Sequence, residues 1–145
     1  MASILRLAAL VTMLLLGRFS LAEEVPGFKV IVNAANPVAS LSKDKVSKLF
    51  LKKVTKWENG HTVMPVDLIP SSPARGAFSK AVHGKDLHEI EAYWQELIFS
   101  GREVPPPVKA YESYVVEYVK TNPDAIGYVS MAIAVSEVKV VKLDE

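Results

Sequence analysis

Cysteine is absent from all 145 residues. That excludes disulfides, thiolate metal sites, a cysteine nucleophile and a lipid-modified N-terminal cysteine. An excess of one charge is missing too, with 17 lysines and arginines against 16 aspartates and glutamates. A near-neutral chain has no bulk basic field, which argues against nucleic acid as a partner. Catalytic signatures are also lacking. No serine sits in a nucleophile elbow. The histidines are His61, His83 and His88. His83 and His88 with Glu91 could in principle hold a metal, but their spacing fits no metal signature and Gly84 falls between them, so surface histidines are expected. The carboxylates of DLHEIEAYWQE fit a solvated helix face. The residues thus point away from an enzyme and call for no cofactor.

What is present begins with a three-part N-terminal pattern. Met1–Arg6 is short and basic, Leu7–Leu16 is apolar apart from Thr12, and Ser20-Leu21-Ala22 supplies small residues for cleavage. This arrangement predicts a secretory signal over residues 1–22, with a retained anchor as the alternative. The apolar run is shorter than the roughly 20 residues of a membrane span. Removing the segment also removes Arg6 and Arg18, leaving a mature charge near −1. Residues 23–145 are then expected to form one exported domain with its own core, suited to a periplasm without disulfides.

Along that domain, strands and helices interleave. Phe28–Asn33 reads as a buried strand. AANPVAS reads as a loop, since Pro37 disfavours helix at Asn36. Ser42 is placed to cap a helix carrying Val46, Leu49 and Phe50. Asn59-Gly60 marks a turn. His61–Leu68 reads as a strand demoted at Pro65 to an edge or bulge. Three helices are expected: one on the stripe Ala74, Ala77, Phe78, Ala81 and Val82; one on Leu87, Ile90, Trp94, Leu97 and Ile98; and one from Tyr111 to Val119. SGREVPPPVKA is a stiff, extended connector, and Ala125–Ser130 and Glu137–Leu143 are further strands. Trp57, Trp94 and the row Tyr111, Tyr114 and Tyr118 are expected in the core, the tyrosines alternatively at an interface. The interleaving predicts an α/β fold, a sheet covered by helices on both faces.

The phrases VIVNAANPVASLSKDKVSKLFLKKVTKWENG, SSPARGAF, YWQELIFSG and NPDAIGYVS occur in one order. Together they resemble one lobe of the periplasmic phosphate-binding proteins of phosphate ABC transporters, from about Phe28 to Ser130. The resemblance implies a single lobe, the second, of a type II periplasmic binding protein with a central mixed sheet; the family's opening glycine-rich segment has no counterpart. It implies an oxyanion ligand held between lobes, a membrane transporter or receptor as partner, and a periplasmic location. The family's Ser-Gly-Thr turn falls on Ser72-Pro73-Ala74 and its frequent basic residue on Arg75. Ser72 matches, whereas Pro73 and Ala74 depart from the pattern, and Ser71 is placed to replace the missing hydroxyl. Asp67 lies near the position of an acidic site residue.

The residues of this turn carry their own argument. Ser72 at the cap and Pro73 at the first helical position make a favoured helix start. The N–H groups of Ala74, Arg75 and Gly76 would then face an anion at the positive end of the dipole. A cation in a first turn opposes that dipole, so Arg75 suggests either a bound anion or pairing with a carboxylate such as Asp67. Asn36 and Ser40 are secondary candidates, expected to face the same strand ends as Ser72. Two functions follow: a weak phosphate or oxyanion binder in transport or sensing, or a lobe that has lost its ligand and serves as a protein–protein module, with a homodimer or an envelope partner.

Overall fold

The computed structural model describes residues 27–145; the expected signal segment lies outside them. No helix among the described residues is long and apolar enough to cross a membrane. Strand β1 is Phe28–Asn33 and β2 is Ser40–Ser42. Ser42 then caps helix α1, Lys43–Phe50, its side chain accepting the Lys45 N–H at 3.1 Å. The short strands β3, Met64–Pro65, and β4, Asp67–Leu68, lead into α2, Pro73–Phe78. A π-helical turn over Ser79–His83 continues α2 and stops at Gly84, whose φ of 63° suits a residue without Cβ. Helix α3 is Leu87–Phe99, opened by a reciprocal Asp86–Glu89 capping box. Strand β5 is Val108–Lys109, helix α4 Glu112–Thr121, and strands β6 and β7 are Ala125–Ser130 and Val138–Asp144.

The main sheet has the order β2-β7-β1-β6-β3. β1 runs antiparallel to both β6 and β7, while β2 is parallel to β7 and β3 is parallel to β6. Alternation along β6 sorts the two faces. Tyr128 packs against Phe78 of α2 and Phe50 of α1. Gly127 turns the other way, where an added Cβ would lie 2.8 Å from Val115 of α4. Helices therefore cover both faces of a mixed sheet. A separate small cluster joins Leu51 to Ile90 and Trp94 of α3.

Several sequence expectations need correction. His61–Leu68 is not one strand. Met64 to Val66 pair with β6, as Val66 N–H donates to Ile126 O, and the last two residues turn to β5, as Asp67 N–H donates to Pro107 O. Pro65 lies on the sheet's edge strand, where a missing donor is tolerated. The end of AANPVAS enters edge strand β2, and the connector contains β5. Tyr111 and Tyr114 are 64% and 56% exposed, so they are not core. Tyr111 only caps α4, which buries Val115 and Val119 on its inner face. Ile98 is likewise exposed. His83 is half-buried rather than at the surface, bonded to Ser47 Oγ at 2.7 Å.

Candidate functional site

Strand β4 delivers Asp67 and Leu68 to the foot of α2, and Arg75 folds back onto them. Its Nη1 donates to Leu68 O at 2.6 Å and lies 3.2 Å from Asp67 Oδ1. The same carboxylate oxygen accepts the Tyr128 hydroxyl and, at 3.1 Å, the Leu68 N–H. Asp67 is buried and the Arg75 side chain is only 12% exposed. Burial pushes the Asp67 carboxyl above its ordinary range, outweighing the Arg75 guanidinium and the Tyr128 hydroxyl, which both favour its charged form. Burial and the neighbouring Asp67 push the Tyr128 phenol upward as well. The first-turn arginine that opposes the helix dipole thus has an internal partner.

Between β4 and α2 the chain passes through the serine tip, Ser71 and Ser72. Ser71 is exposed and Ser72 half-exposed. Ser72 makes no side-chain capping bond, but its carbonyl accepts the N–H groups of Arg75 at 3.0 Å and Gly76 at 3.3 Å. Those two amides are therefore not free donors, which corrects the expected role of the Gly76 amide. What Gly76 supplies is space, since no atom lies within 4 Å of where a Cβ would stand. Ala74 is buried at the second helical position.

The register moves two other candidates away. Because β1 and β6 are antiparallel, the end of β1 at Asn33 lies beyond Val32, which pairs with Ile126 near the start of β6. The serine tip follows Leu68, whose N–H reaches Tyr128 toward the other end of β6. Asn36 consequently sits at the opposite end of the sheet from Ser72, whereas Ser40 lies across the sheet on edge strand β2, and both border a cavity of about 420 Å³. Sequence reasoning also overlooked Tyr128. A phenol in the middle of an otherwise apolar buried strand needs a polar partner, and that was the available signal.

The profile of the PBP superfamily domain matches residues 25–143. The chain belongs to the PBP superfamily. Solved structures of the same fold include an ABC-type phosphate transport receptor from Vibrio cholerae, with 21% identity and a TM-score of 0.64 over 81% of this chain and 46% of that one. A putative phosphate ABC transporter substrate-binding protein from Clostridium perfringens, with bound phosphate, matches at 23% identity and TM-score 0.66, covering 81% and 45%. PstS from Borrelia burgdorferi matches at 12% and 0.65, covering 82% and 47%. No curated protein matches. This PBP-superfamily chain spans less than half the length of those structures, and the shared part is a single α/β lobe.

Proposed function

We propose that this lobe is an exported, non-enzymatic binder of phosphate or a similar oxyanion, acting in periplasmic transport or sensing beside a membrane transporter or receptor. The ligand would meet the Ser71 and Ser72 hydroxyls, the Ala74 N–H and the outer edge of Arg75, with Gly76 leaving room for it. The observation that carries this reading is the anchored guanidinium of Arg75 in the first turn of a helix whose N-cap serine side chain is not used as a cap. Its fold is that of a structure described with bound phosphate.

Two charge-assisted contacts and a helix-dipole contribution total at most about 7 kcal/mol before ordering costs. Arg75 is already shared with Asp67, so a dissociation constant of roughly 0.1–10 mM is expected for the lobe alone. Titrating the full chain with phosphate while following backbone amide shifts tests this. Saturable movement at residues 71–76, weakened in a Ser71→Ala/Ser72→Ala double variant, is the expected result. No movement there at about 20 mM phosphate sinks the proposal.

One observation favours a protein–protein module instead. Tyr111 and Tyr114 form an exposed edge-to-face pair with ring centres 5.5 Å apart. Met131 is 60% exposed directly after Ser130, whose N–H donates to Glu112 beside Tyr111. Ile69 N–H donates to Lys109 O, so this apolar patch and the serine tip share one end of the lobe. Sedimentation of the full chain separates the readings. A dimer that Tyr111→Ser and Tyr114→Ser dissociate supports the module, and a monomer whose stability rises with phosphate supports the binder.

A further inference from the structure

The far end of the sheet holds chemistry that the oxyanion reading does not use. The cavity of about 420 Å³ lies between the loop after β1, the first turn of α1 and the turn at 56–61. Its volume falls within the roughly 300–1,000 Å³ range of small-molecule sites. Its walls are held in place by hydrogen bonds. Asn36 Oδ1 accepts the Val38 N–H at 2.9 Å, and the Asn36 carbonyl accepts Lys139 Nζ, which fixes the loop on either side of Pro37. Across the opening, Trp57 Nε1 donates to Asp124 O at 2.9 Å, so the indole is positioned by its edge.

The lining divides by chemistry. Pro37, Val38, Leu41 and Trp57 give an apolar surface, and Lys45 and Lys56 also border it. Neither lysine forms an ion pair among the described residues. Lys56 Nζ donates to the Thr62 hydroxyl at 2.9 Å. Two carboxylates also border the cavity. Asp124 Oδ1 is engaged by His61 Nδ1 at 3.1 Å, and Glu58 is solvent-exposed. Two lysines without a carboxylate partner among the described residues therefore border the cavity that Trp57 also lines.

We propose that this cavity binds a small carboxylate with a planar apolar body, its ring against Trp57 and its charge toward Lys45 and Lys56. An apolar ring gains from leaving water against an indole already held in place. A lysine ammonium is a compact point charge that accepts a carboxylate without needing one fixed angle. The site is independent of the serine tip and does not rest on phosphate binding there.

The probe is 3-phenylpropionate, titrated into the full chain, with neutral 3-phenylpropionamide and inorganic phosphate as controls. Saturable amide shifts at residues 35–41 and 56–61, together with the Trp57 indole N–H, are expected, with a dissociation constant of roughly 0.1–1 mM. The neutral amide should bind about tenfold more weakly, as should the acid to a Lys45→Ala/Lys56→Ala double variant. That variant's unshifted resonances elsewhere will report that it is folded. Three results overturn the proposal: no saturable shifts at about 10 mM acid, equal binding of acid and amide, or an unaffected double variant. Phosphate moving the same residues with the same lysine dependence would make this a bare anion site and equally refute it.

Discussion

Replacing Tyr128 by phenylalanine tests the anchored cluster with the least disturbance. The residue is fully buried, and its ring stacks on Phe78 with centres 3.9 Å apart and planes 5° from parallel. Phenylalanine keeps that stack and removes one hydroxyl. The loss includes a bond donated to the Asp67 carboxyl and a weaker one accepted from Leu68 N–H at 3.4 Å. A hydrogen bond to a charged group contributes about 1.5–3 kcal/mol, so about 2 kcal/mol of destabilisation is expected at neutral pH. The pH dependence has a definite sign. Burial raises the folded-state pKa of Asp67 above 3.8, so its contribution to stability is full below that value and is lost as pH rises through the folded value. The Tyr128 hydroxyl opposes the rise. Removing it pushes the carboxyl higher still, so the variant's deficit should be largest near neutral pH and shrink toward about pH 4. Urea unfolding of both proteins at each pH reads this difference directly. A deficit below about 0.5 kcal/mol at neutral pH, or one that grows on acidification, would refute the view that this hydroxyl serves a buried carboxylate.

Two further perturbations probe packing and titration. Gly127→Ala places a Cβ 2.8 Å from Val115 Cγ1, 2.9 Å from Val66 Cγ1 and 3.2 Å from Val119 Cγ2. Overpacking of that kind costs about 1–3 kcal/mol, and a neutral or stabilised variant in thermal unfolding would show that α4 can move away from the sheet. Burial, followed by Arg75, Lys53 and Lys85, depresses the His83 pKa to about 4. Stability is therefore complete above the ordinary value of 6.5 and declines as pH falls toward about 4, by roughly 3 kcal/mol. His83→Gln should flatten this decline, and a ring-proton midpoint near 6.5 in NMR would contradict it.

The local elements were legible wherever one physical signal dominated. Phe28–Asn33 has the β-branched run of a central strand and forms that strand with the expected ends. Ser42 precedes the stripe of Val46, Leu49 and Phe50 and caps the helix that buries them. The π-helical turn at Ser79–His83 carried no signal, because an apolar stripe continues through it and only Gly84 marks the end. Strands of two residues, such as β3 and β5, are too short for alternation to appear. Strand direction was the larger loss. Sequence order does not say that β1 opposes β6, and that one fact separates Asn36 from Ser72. At the site, both fates of Arg75 were open in the sequence, since an arginine eight residues after Asp67 suits an anion or a carboxylate. The fold brings that carboxylate to 3.2 Å through a turn whose path sequence alone leaves open.

The two ends of the sheet thus place their cations in opposite circumstances. At the serine tip the guanidinium is held by a carboxylate and a carbonyl, so its direction is fixed but much of its charge is already compensated. An incoming anion there gains an oriented partner with little reorganisation, yet competes with Asp67 for the same field. At the far end, Lys45 and Lys56 have no carboxylate partner among the described residues and border a cavity of mixed polar and apolar lining. Flexible ammonium groups there cost entropy to order but have no internal anion to displace. If both proposals hold, selectivity would follow from that contrast. Compact oxyanions would suit the fixed fork of Arg75 near the serine hydroxyls, and anions with an apolar body would suit the cavity that Trp57 and the two lysines line.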